Sequence, residues 1–393
     1  MTLTRVPIAV VALALLPVLS CADDASEGDD PQGDVPPAIA MAEREFSTDF
    51  SKAAVDLSSI RSGGPSKDGI PPIDEPRFLP VHEADGWLAP REPVIYVEVG
   101  EQGRAYPLRI LMFHEIVNDT AARNIPVTVT YCPLCNTAIA FDRRLGERVL
   151  DFGTSGRLRL SNLIMYDRQT ETWWQQATGR AIVGELVGEE LTKIPAPIIP
   201  YGEFRLEHPD GLVLSSDTGH DRPYGENPYA GYDEPSRRPF LFPSDRAIPE
   251  DLPPMARVLL VEIEDEERAY AYDTLSRVGV INDTVAGTPI VVMWSPGTAS
   301  ALHAGQVAEG RDVGSATAFE RRAGEQVLTF VANEDGMFDR ETGSRWSLLG
   351  KCVAGELAGE ELTAVVGVNH FWFSSAAFAR DDGQGGGTSG GDG

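Results

Sequence analysis

The chain has 393 residues, of which 42% are hydrophobic, 24% charged and 8% aromatic, a composition that excludes collagen, a coiled coil and disorder of the whole chain. Sixty acidic residues against 33 basic ones give a formal net charge of −27, which repels phosphate backbones and argues against nucleic acid as a partner. Four cysteines are too few for a disulfide scaffold of this length, so each is judged by its position.

The N-terminus carries the features of an export signal. Arg5 precedes an apolar run from Val6 to Leu19, which is too short to span a membrane, and Ser20 and Cys21 follow. This order resembles a bacterial lipoprotein signal, in which residues 1–20 are removed and Cys21 carries lipid. We therefore expect a cell-envelope lipoprotein, held to the membrane only by that lipid, at the outer membrane or on the periplasmic or cell-surface side.

Two segments have compositions typical of disordered chain. Residues 21–40 are rich in Asp, Gly and Pro and predict an acidic tether, and residues 381–393 predict a Gly-rich tail. The folded body is expected between them.

The body contains an internal repeat. IVNDT at Ile116 recurs as VINDT at Val280, and MYDRQTETWW at Met165 recurs as MFDRETGSRW at Met337. GELVGEEL and GELAGEEL form a third pair at nearly the same spacing. The repeat predicts two tandem copies of one module packed together, at residues 41–208 and 255–380, joined by a Pro/Gly/Tyr-rich strap at residues 209–254.

Most local patterns within a copy are those of strands. The chain predicts a hairpin of Val94–Val99 with Arg104–Pro107, followed by runs of β-branched and aromatic residues bounded by Gly, Pro or Asn. Further strands are predicted at Ile125–Tyr131, Thr137–Phe141, Arg148–Phe152 and Leu158–Tyr166, and short helices at Leu108–Ile116 and Gly202–His208. Long helices do not alternate with these strands, so we predict a mainly β fold (α+β, with few short helices) rather than a parallel doubly wound sheet. The strap is expected to be an ordered connection, with its tyrosines and His220 as alternative residues at the rim of a pocket.

The motif Cys132-Pro133-Leu134-Cys135 follows a predicted strand. Cysteines at this spacing across a turn can close a disulfide, exchange disulfides or offer two thiolates to one metal. Asn136 stands where haem attachment requires histidine. The predicted strand after the motif also removes the helix N-terminus that stabilises a thiolate in thioredoxin-like proteins.

The repeat serves as a control, because residues shared by both copies are explained by the fold. Cys132 and Cys135 fall opposite Ser295 and Thr298, so the thiols belong to the first copy alone. His114 is also particular to that copy. Cys352 falls opposite Ala181 and is interpreted as a small buried residue, with His303 and His370 as weaker candidates. The shared residues, interpreted as turn and packing residues, are Asp167, Arg168, Thr170 and Trp174.

Four motifs resemble the bacterial and archaeal family called domain of unknown function 3179. They are AYPLRILMFHEIVNDT, YCPLCNTAIAFDR, DTGHDRPYGENPYAGY and HFWFSSAAF. The resemblance implies an architecture and a site, and no established reaction. Some members are similar to selenoproteins with selenocysteine in the CPLC region, which favours redox chemistry at Cys132 and Cys135.

Three functions remain open from the sequence. The first is thiol–disulfide exchange on an exported protein by Cys132 and Cys135, with His114 tuning a thiolate. The second is a module for copper(I), or for zinc if His114 and Cys352 complete the ligands. The third is a surface interaction protein braced by a structural disulfide, although a four-residue loop gains only roughly 2 kcal/mol from such a bond.

Overall fold

Short antiparallel strands are the main regular structure of the chain that the computed structural model describes, which is residues 35–100 and 102–379. The predicted mainly β class with a few short helices is confirmed. The predictions for the signal peptide, for lipidated Cys21 and for the tail fall outside the described residues. No helix in the described ranges combines the length and the apolar character needed to cross a membrane.

Six short helices connect or flank the strands. They are α1 (Pro37–Ala42), α2 (Val81–Ala84), α3 (Leu108–Leu111), α4 (Tyr201–Glu207), α5 (Tyr272–Val278) and α6 (Trp372–Ala379). The strands before the strap are β1 (Ile60–Ser62), β2 (Phe78–Pro80), β3 (Pro93–Val99), β4 (Gln102–Pro107), β5 (Ile116–Ala121), β6 (Ile125–Cys132), β7 (Thr137–Asp142), β8 (Arg144–Leu145), β9 (Arg148–Val149), β10 (Phe152–Arg159), β11 (Asn162–Asp167), β12 (Trp173–Gln175), β13 (Arg180–Val183), β14 (Lys193–Ile194) and β15 (Ile198–Pro200). The remaining strands are β16 (Leu212–Leu214), β17 (Arg257–Ile263), β18 (Glu266–Ala271), β19 (Val280–Val285), β20 (Thr288–Ser295), β21 (Ser315–Glu320), β22 (Arg322–Ala323), β23 (Gln326–Val327), β24 (Phe330–Asn333), β25 (Gly336–Asp339), β26 (Arg345–Trp346), β27 (Cys352–Ala354) and β28 (Gly367–Phe371).

One sheet carries the cysteine motif and joins the two predicted copies. Its strand order is β18-β17-β28-β7-β6-β5, and β14 also pairs with β7. Strand β28 pairs with β17 on one side and with β7 on the other, through Asn369 and Ala138. Strand β28 therefore lies beside the turn between β6 and β7, which contains the Cys132–Cys135 motif.

The other sheets pack around it and are antiparallel apart from the β16–β4 pair. Their strand orders are β1-β10-β11-β12-β13, β15-β3-β4-β16-β2, β19-β20-β21, β24-β25-β26-β27, β8-β9 and β22-β23. One large core cluster contains Cys132 and Cys135.

Several predicted boundaries differ from the structure. The run predicted as one strand at Leu158–Tyr166 is a hairpin, because Leu160 and Ser161 take left-handed φ angles of 50° and 70° and reverse the chain. The helix predicted at Leu108–Ile116 ends at Leu111, and only Arg148–Val149 and Phe152 of the run Arg148–Phe152 lie in strands. Helix α1 occupies residues 37–42, partly inside the predicted tether, and buries Ile39 against an aromatic cluster.

The two predicted copies share their order of elements. The succession from β3 to β13 has its counterpart from β17 to β27, including a short helix after the first hairpin. Within each copy a buried aspartate accepts a 2.9 Å bond from an indole N–H: Asp167 from Trp174, and Asp339 from Trp346. Thr170 and Thr342 also donate to these aspartates at 2.9 Å, which supports a turn and packing role for the shared residues.

These paired contacts give a matched stability prediction. We expect Trp174→Phe and Trp346→Phe each to lower the free energy of unfolding by about 1–3 kcal/mol, because each leaves a buried carboxylate oxygen without its indole donor. Chemical denaturation of the two variants beside the wild type measures this. A loss in only one variant would contradict equivalent roles for the two aspartates.

Candidate functional site

The turn between β6 and β7 places two thiols side by side. The N–H of Cys135 donates to the carbonyl of Cys132 at 3.2 Å. Asn136 has a φ of 51°, a left-handed conformation that asparagine tolerates better than most residues. Both cysteines have free thiols. The N–H of Phe371 donates to the carbonyl of Cys135 at 2.8 Å, so β28 holds the turn from the other side.

Both sulfur atoms approach one carbonyl oxygen. The Sγ atom of Cys135 lies 3.4 Å from the oxygen of Ser161, and that of Cys132 lies 3.9 Å from it. The reversal at Leu160 and Ser161 positions this carbonyl. Cys132 is 1% exposed and Cys135 is fully buried. Burial, followed by the neighbouring Cys135, raises the pKa of the Cys132 thiol well above its usual value.

A buried glutamate completes this cluster. Burial, together with the charge that Cys132 can carry, raises the pKa of Glu115 to about 8. The backbone fixes its position, because its carbonyl accepts the N–H of Tyr131, the residue before Cys132, at 2.8 Å. Sequence reasoning missed Glu115. The sequence signal that could have found it is the glycine at the equivalent position of the second copy, Gly279. Both residues take a left-handed backbone conformation, with φ angles of 60° for Glu115 and 72° for Gly279, which glycine adopts more readily than glutamate.

A cavity of about 490 Å³ reaches the cluster at Glu115 and at Leu134, the residue next to Cys135, while the two cysteines are not among its described lining residues. Glu115, Leu134 and Leu163 line it from the sheet side, and the strap contributes Tyr229 and Tyr232. The predicted strap is thus ordered, and two of its tyrosines line a pocket. Burial raises the pKa of both phenols, which keeps them protonated. The remaining lining residues are Gly63, Pro65, Ile70, Thr154, Gly156, Arg157, Leu158, Pro228, Ala230, Arg237, Arg238 and Phe240.

His114 points to different partners from those the sequence suggested. Its Nδ1 lies 2.7 Å from the carbonyl oxygen of Pro71 and its Nε2 lies 2.5 Å from the hydroxyl of Tyr224. Because a carbonyl only accepts, Nδ1 carries the proton and Nε2 accepts from Tyr224. The ring of His220 lies beside it, tilted by 49°, with ring centroids 5.2 Å apart. No contact between His114 and the thiols is present in the described residues, so the structure gives it a role in anchoring the strap.

This arrangement predicts the titration of His114. Burial lowers its pKa from 6.5 to about 4, so the folded protein binds fewer protons than the unfolded chain between those values. The contribution of His114 to stability is therefore present above pH 6.5 and lost as the pH falls towards 4. NMR of the imidazole should show the neutral Nδ1–H tautomer down to pH 5, and a midpoint near 6.5 would contradict the buried geometry.

The structure does not bring the four predicted metal ligands together. Cys352 packs in a different core cluster from the cysteine pair, and its thiol donates to the carbonyl of Ala354 at 3.5 Å. Among the described residues no group of three or more His, Cys, Asp or Glu side chains is arranged to hold a metal ion. Only two of the four predicted ligands, Cys132 and Cys135, therefore lie together, without His114 and Cys352.

The two weaker histidines have structural partners. His370 is buried, its Nδ1 lies 2.9 Å from the hydroxyl of Thr137, and burial lowers its pKa to about 3. His303 Nδ1 accepts the N–H of Arg311 at 3.1 Å. Neither histidine contacts a thiol within the described ranges.

Comparison with known proteins gives one match. The family model described as "Protein of unknown function (DUF3179)" matches residues 67–382, which is most of the chain. No curated protein and no solved structure matches it.

Proposed function

This chain belongs to the DUF3179 family of proteins of unknown function, and we propose that its Cys132–Cys135 pair is a dithiol/disulfide couple that exchanges with the disulfide bond of an exported partner. The proposal includes a place in the cell envelope, with lipid on Cys21. The observation that carries the redox part is Glu115, a buried carboxyl group that lines the cavity, interacts electrostatically with the Cys132 thiol, and has its backbone carbonyl bonded to the N–H of Tyr131.

A buried thiol reacts slowly unless a nearby group accepts its proton, because the thiolate is the nucleophile. With a pKa of about 8, the Glu115 carboxylate is a stronger base than that of an ordinary glutamate, which brings it closer to the Cys132 thiol, whose own pKa is raised by burial. Glu115 thus serves as the general base for Cys132.

The exchange then proceeds in two balanced steps. The Cys132 thiolate attacks one sulfur of the partner disulfide, which forms a mixed disulfide and releases the other half as a thiolate that takes up a proton to become a thiol. The Cys135 thiol then loses its proton and attacks the Cys132 sulfur, which closes the Cys132–Cys135 disulfide and releases the second thiol. The pair loses two electrons and two protons, and the partner gains them.

Burial of the pair defines how the partner reaches it. Thiols that are at most 1% exposed do not meet the surface of a folded protein, so the proposed exchange requires the partner disulfide to approach through the cavity beneath the strap and to displace Leu134, which separates the cavity from the cysteines. This access also bears on the structural alternative, because a purely bracing disulfide needs neither a cavity nor a neighbouring acid.

Paired thiol counting and elemental analysis test the proposal on the purified chain. The wild type and the Cys132→Ser/Cys135→Ser variant are compared after reduction and after mild oxidation. We expect two more reactive thiols in the reduced wild type than in the variant, their loss on oxidation, and no bound copper or zinc. Stoichiometric metal that the double variant lacks would support the metal module instead, and thiols that resist oxidation would refute the redox couple.

A further inference from the structure

Two arginines of the strap lie at the cavity that Glu115 and Leu134 line. Arg237 and Arg238 are exposed and line it. Arg237 donates to the carbonyl of Gly231 at 2.9 Å, and its guanidinium lies 5.6 Å from the ring centroid of Tyr232. Arg238 donates to the carbonyl of Pro243 at 2.7 Å. These contacts position both guanidinium groups and leave most of their donors available to a ligand.

Neither arginine has an acidic partner within ion-pair distance in the described part of the chain. This is unusual in a protein with a net charge of −27, where carboxylates outnumber basic groups nearly two to one. Of the described residues that line the cavity, Glu115 is the only carboxylic acid. Arg157 also lines it and pairs with Glu45 at 3.2 Å. The cavity is therefore a cationic region on an acidic protein.

The floor of the same cavity is apolar apart from Glu115. Leu134 separates the two cysteines in sequence and lines the floor with Leu163. The volume of about 490 Å³ falls in the range of small-molecule sites. A ligand that fills it would place an apolar body on the floor and a negative group against the arginines, since guanidinium groups bind carboxylates with directed hydrogen bonds.

We propose that this cavity binds a small disulfide that carries a carboxylate, with Arg237 and Arg238 holding the carboxylate and the S–S bond lying against Leu134, which is between Cys132 and Cys135 in the chain. The proposal rests on the redox function above and names its substrate class. Reduction of that disulfide yields two small carboxylate-bearing thiols and leaves the Cys132–Cys135 pair oxidised.

Three small disulfides of different charge test the substrate class on the full chain. They are 3,3′-dithiodipropionate, which is anionic, bis(2-hydroxyethyl) disulfide, which is neutral, and cystamine, which is cationic. The rate at which each oxidises the reduced cysteine pair is measured in the wild type, in Arg237→Gln/Arg238→Gln, and in Arg322→Gln/Arg345→Gln. The last variant makes the same change in net charge at two exposed arginines of the second copy. Comparing each compound between variants cancels differences in its intrinsic reactivity.

We expect Arg237→Gln/Arg238→Gln to slow the anionic disulfide about tenfold, the effect of one lost charge-assisted hydrogen bond. The neutral disulfide should keep its rate, which also shows that the variant is folded, and the control variant should match the wild type with all three compounds. An equal effect on all three disulfides, an unchanged rate with dithiodipropionate, or the same slowing in the control variant would overturn the proposal.

A binding measurement separates this proposal from the redox function. Octanedioate has the length and charges of dithiodipropionate, with two methylenes in place of the S–S bond. Calorimetric binding of octanedioate to the wild type, lost in Arg237→Gln/Arg238→Gln, would uphold the anion site even if no disulfide oxidised the pair. In that case only the redox function would fail, whereas absence of octanedioate binding would overturn the anion site itself.

Discussion

Cys135→Ser will accumulate a stable mixed disulfide on Cys132 when it meets a small disulfide, whereas Cys132→Ser will form little or none. The asymmetry follows from Glu115, which interacts with Cys132 and can take its proton. Without Cys135 the first step still occurs, but the second step, in which the neighbouring thiol releases the partner, is removed. Intact-mass spectrometry of the two variants after the same exposure measures the adduct.

The wild type provides the control for this experiment. It should pass through the mixed disulfide to a protein that is two hydrogens lighter and carries no adduct. Equal adducts on both single variants would contradict the assignment of Cys132 as the nucleophile. Absence of adduct on either variant would contradict thiol–disulfide exchange altogether.

Glu115→Gln is expected to make the protein more stable at alkaline pH while it slows the reaction. The pKa of Glu115 is raised from 4.5 to about 8 in the folded state, so between these values the folded protein holds a proton that the unfolded chain has released. The free energy of unfolding of the wild type therefore falls as the pH rises through this window. Glutamine does not ionise, so the variant should gain a few kcal/mol over the wild type above pH 8 and little at pH 4.

The same substitution removes the proposed general base. We expect oxidation of the cysteine pair to slow by about 10²–10⁴-fold, the usual contribution of a positioned base. Glu92→Gln is the matched control, because Glu92 is also buried and its carboxylate lies 3.0 Å from the guanidinium of Arg109. That variant should lose stability and keep its thiol rate. If Glu115→Gln keeps the wild-type rate, the carboxyl has a structural role only.

The hairpin that carries the cysteines was predictable because its signals are local. Alternating β-branched residues before Cys132, a proline in the turn and β-branched residues after Asn136 define two strands within 18 residues. The turn at Leu160 and Ser161 was missed for the opposite reason. The run Leu158–Tyr166 was interpreted as one strand because its reversal contains no glycine, although Ser161 and Asn162 are residue types that favour turns.

The base was missed because its place depends on distant pairing. Glu115 reaches the thiols through the register of β5 against β6, where its carbonyl accepts the N–H of Tyr131. His114 was chosen instead since it is particular to the first copy. Adjacent side chains leave the backbone in different directions, so His114 faces Pro71 and Tyr224 while Glu115 faces Cys132. A pocket at the tyrosines of the strap was an alternative interpretation of the sequence, but its place beside Glu115 was not predicted, because the strap has no periodic pattern that fixes its path.

We expect Cys132 and Cys135 to form a reversible two-electron couple. Equilibration of the purified chain with dithiothreitol or glutathione redox buffers, followed by quantification of the free thiols, tests it most directly. The proposed exchange requires a two-electron transition at a potential between about −270 and −120 mV, the range of catalytic dithiols. A potential below about −300 mV, typical of inert structural disulfides, or a pair that never oxidises, would contradict it.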